Sequence, residues 1–307
     1  MAEITAGQVK ELREKTGAGM MDCKTALTET GGDMEAAVDW LRAKGLSKAA
    51  KKSSRIAAEG LVAAAVEGQR GALVEVNAET DFVARNDKFQ AMVAEVARLA
   101  LSSEGSIEKL KGQPFPGSRN DVAQQVAELV ATIGENMTVR RTALLKVAQG
   151  AVGQYVHNQA APGMGKIASL VALESTGNAD ELMSLARLLA MHVAASNPVA
   201  LDLQTVPVQT LEREKAILAE KNAGKPANVM EKIIQSGLKS YAKEFCLLEQ
   251  AYVHDAAKSV SQVLKETEGK LGAPVRLTGF ARFQLGEGIE KQADDFAAEV
   301  AKAAATS

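Results

Sequence analysis

The sequence predicts an α+β protein: an N-terminal three-helix module, a core of two related small-sheet subdomains with helices on one face, an inserted helical-hairpin arm and a C-terminal helix. Three observations predict it. Alanine dominates an apolar set that makes up 46% of the chain, while aromatics are only 4%, which favours helices packed through small side chains. One order of elements (two strands, helices, a closing strand) occurs twice along the middle of the chain, although the two copies share little sequence. The second copy is interrupted by two charged helical stretches broken at Gly224-Lys225-Pro226.

The elements follow in order. Thr5 and Gln8 make a capping box for a first helix whose stripe is Val9 and Leu12 and which Gly17 ends. A second helix runs from Met20 to Thr30 and stops at Gly31-Gly32. Asp33 caps a third, with Ala37, Val38 and Leu41 inward and Gly45 just past its end. Residues 61–66 and 72–77 read as a hairpin, 88–101 and 121–133 as amphipathic helices, and 137–147 as the closing strand. The second copy has strands near 151–157 and 167–174, helices at 180–195 and 258–268, and a strand near 274–285. The arm covers 208–222 and 227–243; its apolar stripe (Leu211, Ile217, Leu218) is too narrow to cover a sheet. A last helix is expected at 289–303. The expected divisions are 1–55 (helical module and basic linker), 56–149, 150–285 with the arm at about 208–243, and 286–307.

At 307 residues the chain can bury a substantial core, and a formal charge of −2 gives no global attraction to nucleic acid or anionic membrane. The start, Met1-Ala2-Glu3-Ile4-Thr5, lacks the basic and apolar regions of a signal peptide, and no apolar run approaches the length of a membrane span. Cys23 and Cys246 are far apart and are expected to stay reduced in a cytoplasmic protein. His157, His192 and His254 lack metal spacing. Gly163-Met164-Gly165-Lys166 fails the phosphate-loop pattern, with Ala160 and Ile167 where Gly and Ser or Thr belong, and reads as a flexible turn. Gly17-Ala18-Gly19 has no preceding strand and no third glycine, so it is not a dinucleotide fingerprint. No nucleophile elbow is present, and nothing points to an enzyme. The basic run 44–55 (Lys44, Lys48, Lys51, Lys52, Arg55) reads as a solvated helix end and linker; an RNA-binding scaffold using it is the alternative, weakened by the absence of interleaved aromatics for base stacking.

The densest signal lies at residues 75–87. The alternating apolar run through Leu73, Val74 and Val76 meets a polar break, where Asp81 and Phe82 stand before a helical pattern that begins near Asp87. A phenylalanine at such a corner has two meanings: it turns inward and caps the core, or it is presented to a partner protein.

Three motifs then combine. Leu12-Arg13-Glu14-Lys15-Thr16-Gly17-Ala18-Gly19-Met20-Met21-Asp22-Cys23-Lys24, Thr80-Asp81-Phe82-Val83, and Gly279-Phe280-Ala281-Arg282-Phe283 leading to Gly286-Glu287-Gly288-Ile289-Glu290-Lys291 together resemble bacterial translation elongation factor Ts, and the resemblance covers the whole chain. It implies a guanine-nucleotide exchange factor, not an enzyme, that binds elongation factor Tu in its nucleotide-free or GDP-bound form and releases GDP during translation elongation. It implies that Thr80, Asp81, Phe82 and Val83 enter the partner's G domain and disturb its magnesium site. Met20, Met21 and the C-terminal helix would touch the same domain, and His157 would meet another domain of the partner. The chain departs from the pattern at Thr25, where a second lysine is usual, and after His157, where the loop 158–165 is longer and contains Pro162. No cofactor, metal, nucleic acid or membrane is expected, and the arm offers a surface through which two copies could pair.

Overall fold

The computed structural model describes residues 4–16 and 18–290, without the side chains of 46–48 and 50. The chain begins with helices α1 (Ala6–Thr16), α2 (Met20–Glu29) and α3 (Met34–Lys52). It continues through β1 (Glu59–Glu67), β2 (Arg70–Ala78), a 3-10 turn at Val83–Arg85, α4 (Asp87–Ala100), α5 (Ile107–Lys111), α6 (Val122–Ile133) and β3 (Met137–Lys146). Next come β4 (Gly150–His157), β5 (Met164–Gly165), β6 (Ile167–Glu174) and α7 (Ala179–Ser196). The arm is α8 (Val208–Lys221) and α9 (Ala227–Phe245); β7 (Ala251–Tyr252), β8 (Asp255–Ser259), α10 (Val260–Leu271) and β9 (Arg276–Gln284) follow.

Two antiparallel sheets form the centre, ordered β3-β2-β1-β5 and β4-β6-β9. Successive residues of each strand point to opposite faces. Leu61, Ala63, Val74 and Val76 meet Phe89, Val93 and Val96 of α4 and Val126 and Leu129 of α6. Val62, Ala64 and Leu73 instead meet Val152, Leu170 and Ala172 of the other sheet. Val171 and Leu173 point the other way, onto Leu182, Leu189 and Val193 of α7. The layers therefore run helix, sheet, sheet, helix. Both faces of β1, β2 and β6 are covered, which is why these strands read as nearly continuous apolar runs, whereas the edge strands β3 and β9 stay largely half-exposed. Gly153 lets α7 lie close on β4, since a Cβ there would stand 2.4 Å from the carbonyl carbon of Ala186.

The helices expected within the described residues are present, with two of the expected caps formed: Thr5 with Gln8 on α1, and Asp121 with Gln124 on α6. Two expectations fail. Gly45 does not end α3, which continues to Lys52. A Cβ at Gly45 would lie 3.0 Å from the Ala131 Cβ of α6, so this glycine marks the close approach of α3 to the core. The low helix propensity of glycine, about 1 kcal/mol, is outweighed by that packing. The basic run is consequently helix for most of its length, and the core engages it. Lys44 lies 3.9 Å from Asp22 and over the Trp40 ring, Lys52 donates to the Gly134 carbonyl, and Arg55 pairs with Glu79 at 3.5 Å. Lys44, Lys52 and Arg55 are thereby engaged within the chain, while Lys51 is exposed.

The second failure is the Gly163-Met164-Gly165-Lys166 turn, which is pinned rather than flexible. Met164–Gly165 pairs with β1 as a short edge strand, and the Ala64 amide donates to the Gly163 carbonyl at 3.0 Å. The short α5 and the β7–β8 hairpin carried no clear sequence signal, being too brief to show a period.

The arm stands off the body as expected: α8 buries no residue and α9 only Ala242. Its base is held by a small cluster of Ala200, Val206, Ala242 and Cys246. Beside it, buried His192 donates through Nε2 to Gln250 at 3.0 Å and accepts the Val253 amide on Nδ1 at 3.1 Å, which fixes the neutral tautomer. Burial pushes the imidazole below its ordinary pKa, against the opposing pull of Gln250. The helix expected at 289–303 lies outside the described residues beyond Glu290.

Candidate functional site

The site is the corner where β2 gives way to α4. The β2–β3 register ends with Ala78 opposite Met137, so the next residues outward, Glu79 and Asn136, face each other across the strand ends. There the Asn136 amide donates to the Glu79 carboxylate, and Asn136 Nδ2 donates to the Arg55 carbonyl at 2.7 Å. One residue further, Glu135 accepts both the Thr80 N–H at 3.1 Å and the Thr80 hydroxyl at 3.0 Å. Beyond the corner, Val83 is buried, the Gln90 amide donates to the Ala84 carbonyl at 2.8 Å, and Asn86 caps α4 by accepting the Lys88 and Phe89 amides.

This frame holds Phe82 outward. Its side chain is 74% exposed, whereas Phe89, seven residues on, is fully buried. The inward-turned alternative is thereby excluded. Asp81 lies beside it, paired with Arg85 at 3.2 Å in a solvated contact that an exchange of partners would disturb at little cost. The corner thus presents an apolar ring and a carboxylate together on a backbone fixed from both sides.

The sequence-predicted site residues are not equally placed. Thr80 and Val83 face inward: Thr80 has both its donors satisfied within the chain, and Val83 belongs to the core. They shape the corner, while Asp81 and Phe82 form its surface. His157 ends β4, exposed, with its Nδ1 3.1 Å from the Tyr155 hydroxyl. It lines the same groove as Asp81, Arg85, Glu59 and Lys166, which runs between the two sheets' ends. The fold therefore brings together a residue pair separated by some 75 positions. Met20 and Met21 are exposed at the start of α2, 59% and 74%, on the helical module rather than in that groove.

Sequence reasoning missed the residues that brace the corner. Glu135 and Asn136 are more than 50 positions from Thr80 and Glu79, and only the β2–β3 register reveals the pairing. It also missed Glu75, a fully buried carboxylate. Glu75 accepts from Arg140 at 3.0 Å, from Arg141, from Asn77 at 3.0 Å and from the Gly286 amide at 2.9 Å. Burial alone would raise its pKa; the Gly286 amide, Asn77 and Arg141 together hold it below the ordinary value. Arg140 also donates to the Glu287 carbonyl at 2.6 Å, so this network seats the Gly286-Glu287-Gly288 turn against the first sheet. Among the described residues no cluster of three or more His, Cys, Asp or Glu side chains could hold a metal ion, and no helix is long and apolar enough to cross a membrane.

Comparison with known proteins gives a consistent picture. The family model for elongation factor Ts matches residues 79–287. Over 304 residues the chain is 63% identical to the elongation factor Ts of Methylobacterium sp. strain 4-46, covering 99% of each. It is 62% identical over 307 residues to that of Xanthobacter autotrophicus, and 61% identical over 307 residues to that of Azorhizobium caulinodans, covering all of each chain in both cases.

Proposed function

The chain belongs to the elongation factor Ts family and so to the factors of translation elongation, and we propose that it acts as a guanine-nucleotide exchange factor for elongation factor Tu in the cytoplasm. The observation that carries this reading is Phe82, exposed beside Asp81 on a corner braced from both sides. A ring held in water has no folding role, and a rigid exposed aromatic loses little entropy when a partner buries it.

In the proposed mechanism the corner enters the partner's G domain. Magnesium offsets the charge on the bound nucleotide's phosphates, so displacing it weakens GDP without any contact to the base. Phe82 wedges between partner elements, and Asp81, released from Arg85, competes electrostatically at the magnesium site. Met20 and Met21 dock the helical module on the same domain, and His157 docks the second subdomain on another. No bond is made or broken, so the protein needs no catalytic group; it acts by binding the nucleotide-free state more tightly than the GDP-bound state. The test is release of a fluorescent GDP from elongation factor Tu, with and without the protein. Release accelerated in proportion to added protein supports the reading, and an unchanged rate at saturating protein removes it.

A further inference from the structure

We propose that Glu135 is the positioning residue of the exchange corner, a role that rests on the exchange reading above. Three observations lead to it. Both donors of Thr80, its amide and its hydroxyl, converge on the Glu135 carboxylate at 3.1 and 3.0 Å. Thr80 immediately precedes the Asp81–Phe82 pair, so fixing its N–H and its hydroxyl fixes the direction in which the next two residues leave the sheet. The contact is charge-assisted on the acceptor side and partly buried, which makes it stronger than a neutral hydrogen bond.

The neighbouring contacts do not duplicate it. Asn136 holds Glu79, one residue before Thr80, and Asn86 and Gln90 hold the chain after the corner. Between them, residues 80–82 have only Glu135 and the solvated Asp81–Arg85 pair as side-chain restraints among the described contacts. Glu135 itself lies between Gly134, whose carbonyl receives Lys52 from the end of α3, and Asn136, which binds the Arg55 carbonyl. The loop that aims Phe82 is thus also the loop on which the N-terminal helical module is seated. Glu135 touches no partner atom in this scheme; it acts through Phe82.

Glu135→Ala, in the full-length chain, separates this role from simple support of the fold. Amide hydrogen exchange should show the Thr80 N–H losing protection while Val74 and Leu170, in the two sheets, keep theirs. The protein concentration needed for half-maximal GDP release from elongation factor Tu should rise by about tenfold, which slows release at limiting protein, in line with the loss of pre-organised geometry. Combined with Phe82→Ala, it should add almost nothing, because the two changes remove the same contact. Glu135→Gln, which keeps one oxygen to accept from Thr80, should recover part of the rate. A normal release rate for Glu135→Ala, where Phe82→Ala is slow, overturns the positioning role and leaves the corner's function standing. A loss of protection across both sheets, or full additivity with Phe82→Ala, also overturns it. If Phe82→Ala itself releases GDP at the parent rate, the exchange reading fails and the role of Glu135 in it fails too.

Discussion

Replacing Phe82 by alanine separates folding from function. The side chain is 74% exposed, so its removal takes little apolar surface out of the folded core. Surface substitutions of this kind change stability by within about 0.5 kcal/mol. Phe89 is the internal control: it is fully buried between α4 and the first sheet, and Phe89→Ala should cost about 3–5 kcal/mol. At the partner, Phe82 can still bury most of a ring that removes roughly 150–250 Å² from water. At about 25 cal/mol per Å², three quarters of that area corresponds to about 3 kcal/mol or more, well over a hundredfold in affinity. Desolvation and ordering costs at interfaces bring the expected loss nearer 2 kcal/mol, roughly thirtyfold. The assay pairs thermal denaturation with the protein-concentration dependence of GDP release from elongation factor Tu. A parent-like melting temperature with a midpoint shifted roughly thirtyfold is expected. A melting drop approaching that of Phe89→Ala would show that Phe82 supports the core, and an unshifted midpoint would show that it contacts nothing in the partner.

Other expectations follow from the same contacts. Asp81→Asn keeps shape and removes charge; its exchange defect should be largest at high magnesium and shrink when EDTA removes the ion, whereas a constant defect would reduce Asp81 to a docking contact. Glu75→Gln should destabilise the protein by about 3 kcal/mol at neutral pH, because Arg140 and Arg141 lose the buried charge between them. Since the folded state holds the Glu75 pKa below its ordinary 4.5, its contribution is complete above that pH and is lost as pH falls through the lower folded value, so the variant should also show a flatter acid limb in denaturant titrations. His192 is held neutral, with its pKa below 6.5; stability should therefore decline as pH falls below about 6.5, and His192→Gln should remove that decline, which equilibrium unfolding between pH 5 and 7 would detect. Deleting residues 212–240 with a short glycine bridge spares Leu211, Tyr241, Ala242 and Cys246 at the arm's base, so the product should melt like the parent; an unfolded product would mean that the arm braces the second subdomain.

Much of this architecture was legible in the chain because local signals agree with the fold. Capping pairs such as Asp121 with Gln124, and alternation that ends at Ala78, place helices and strands by short-range chemistry alone. The corner was legible as a corner for the same reason. The direction of Phe82 was not, since inward and outward rings share one local sequence and only the surrounding contacts decide between them. Gly45 misled because the same residue that stops a helix also permits two helices to touch, and its contact with Ala131 lies 86 positions away. The face-to-face stacking of the two sheets was hidden by strands apolar on both sides, which do not say what covers each face. Glu75, Glu135 and His157 share that limitation: each acquires its surroundings from strands or loops distant in sequence, through registers that composition cannot specify.

The central claim is a coupling between two ligands on one partner, so the decisive measurement is a closed thermodynamic cycle. The affinity of elongation factor Tu for GDP is measured with and without saturating protein, and the affinity of the protein is measured for nucleotide-free and GDP-bound elongation factor Tu. Exchange through the Phe82 corner requires both ratios to be equal and at least about tenfold, since linkage is reciprocal. An affinity for GDP that is the same with and without the protein would contradict it.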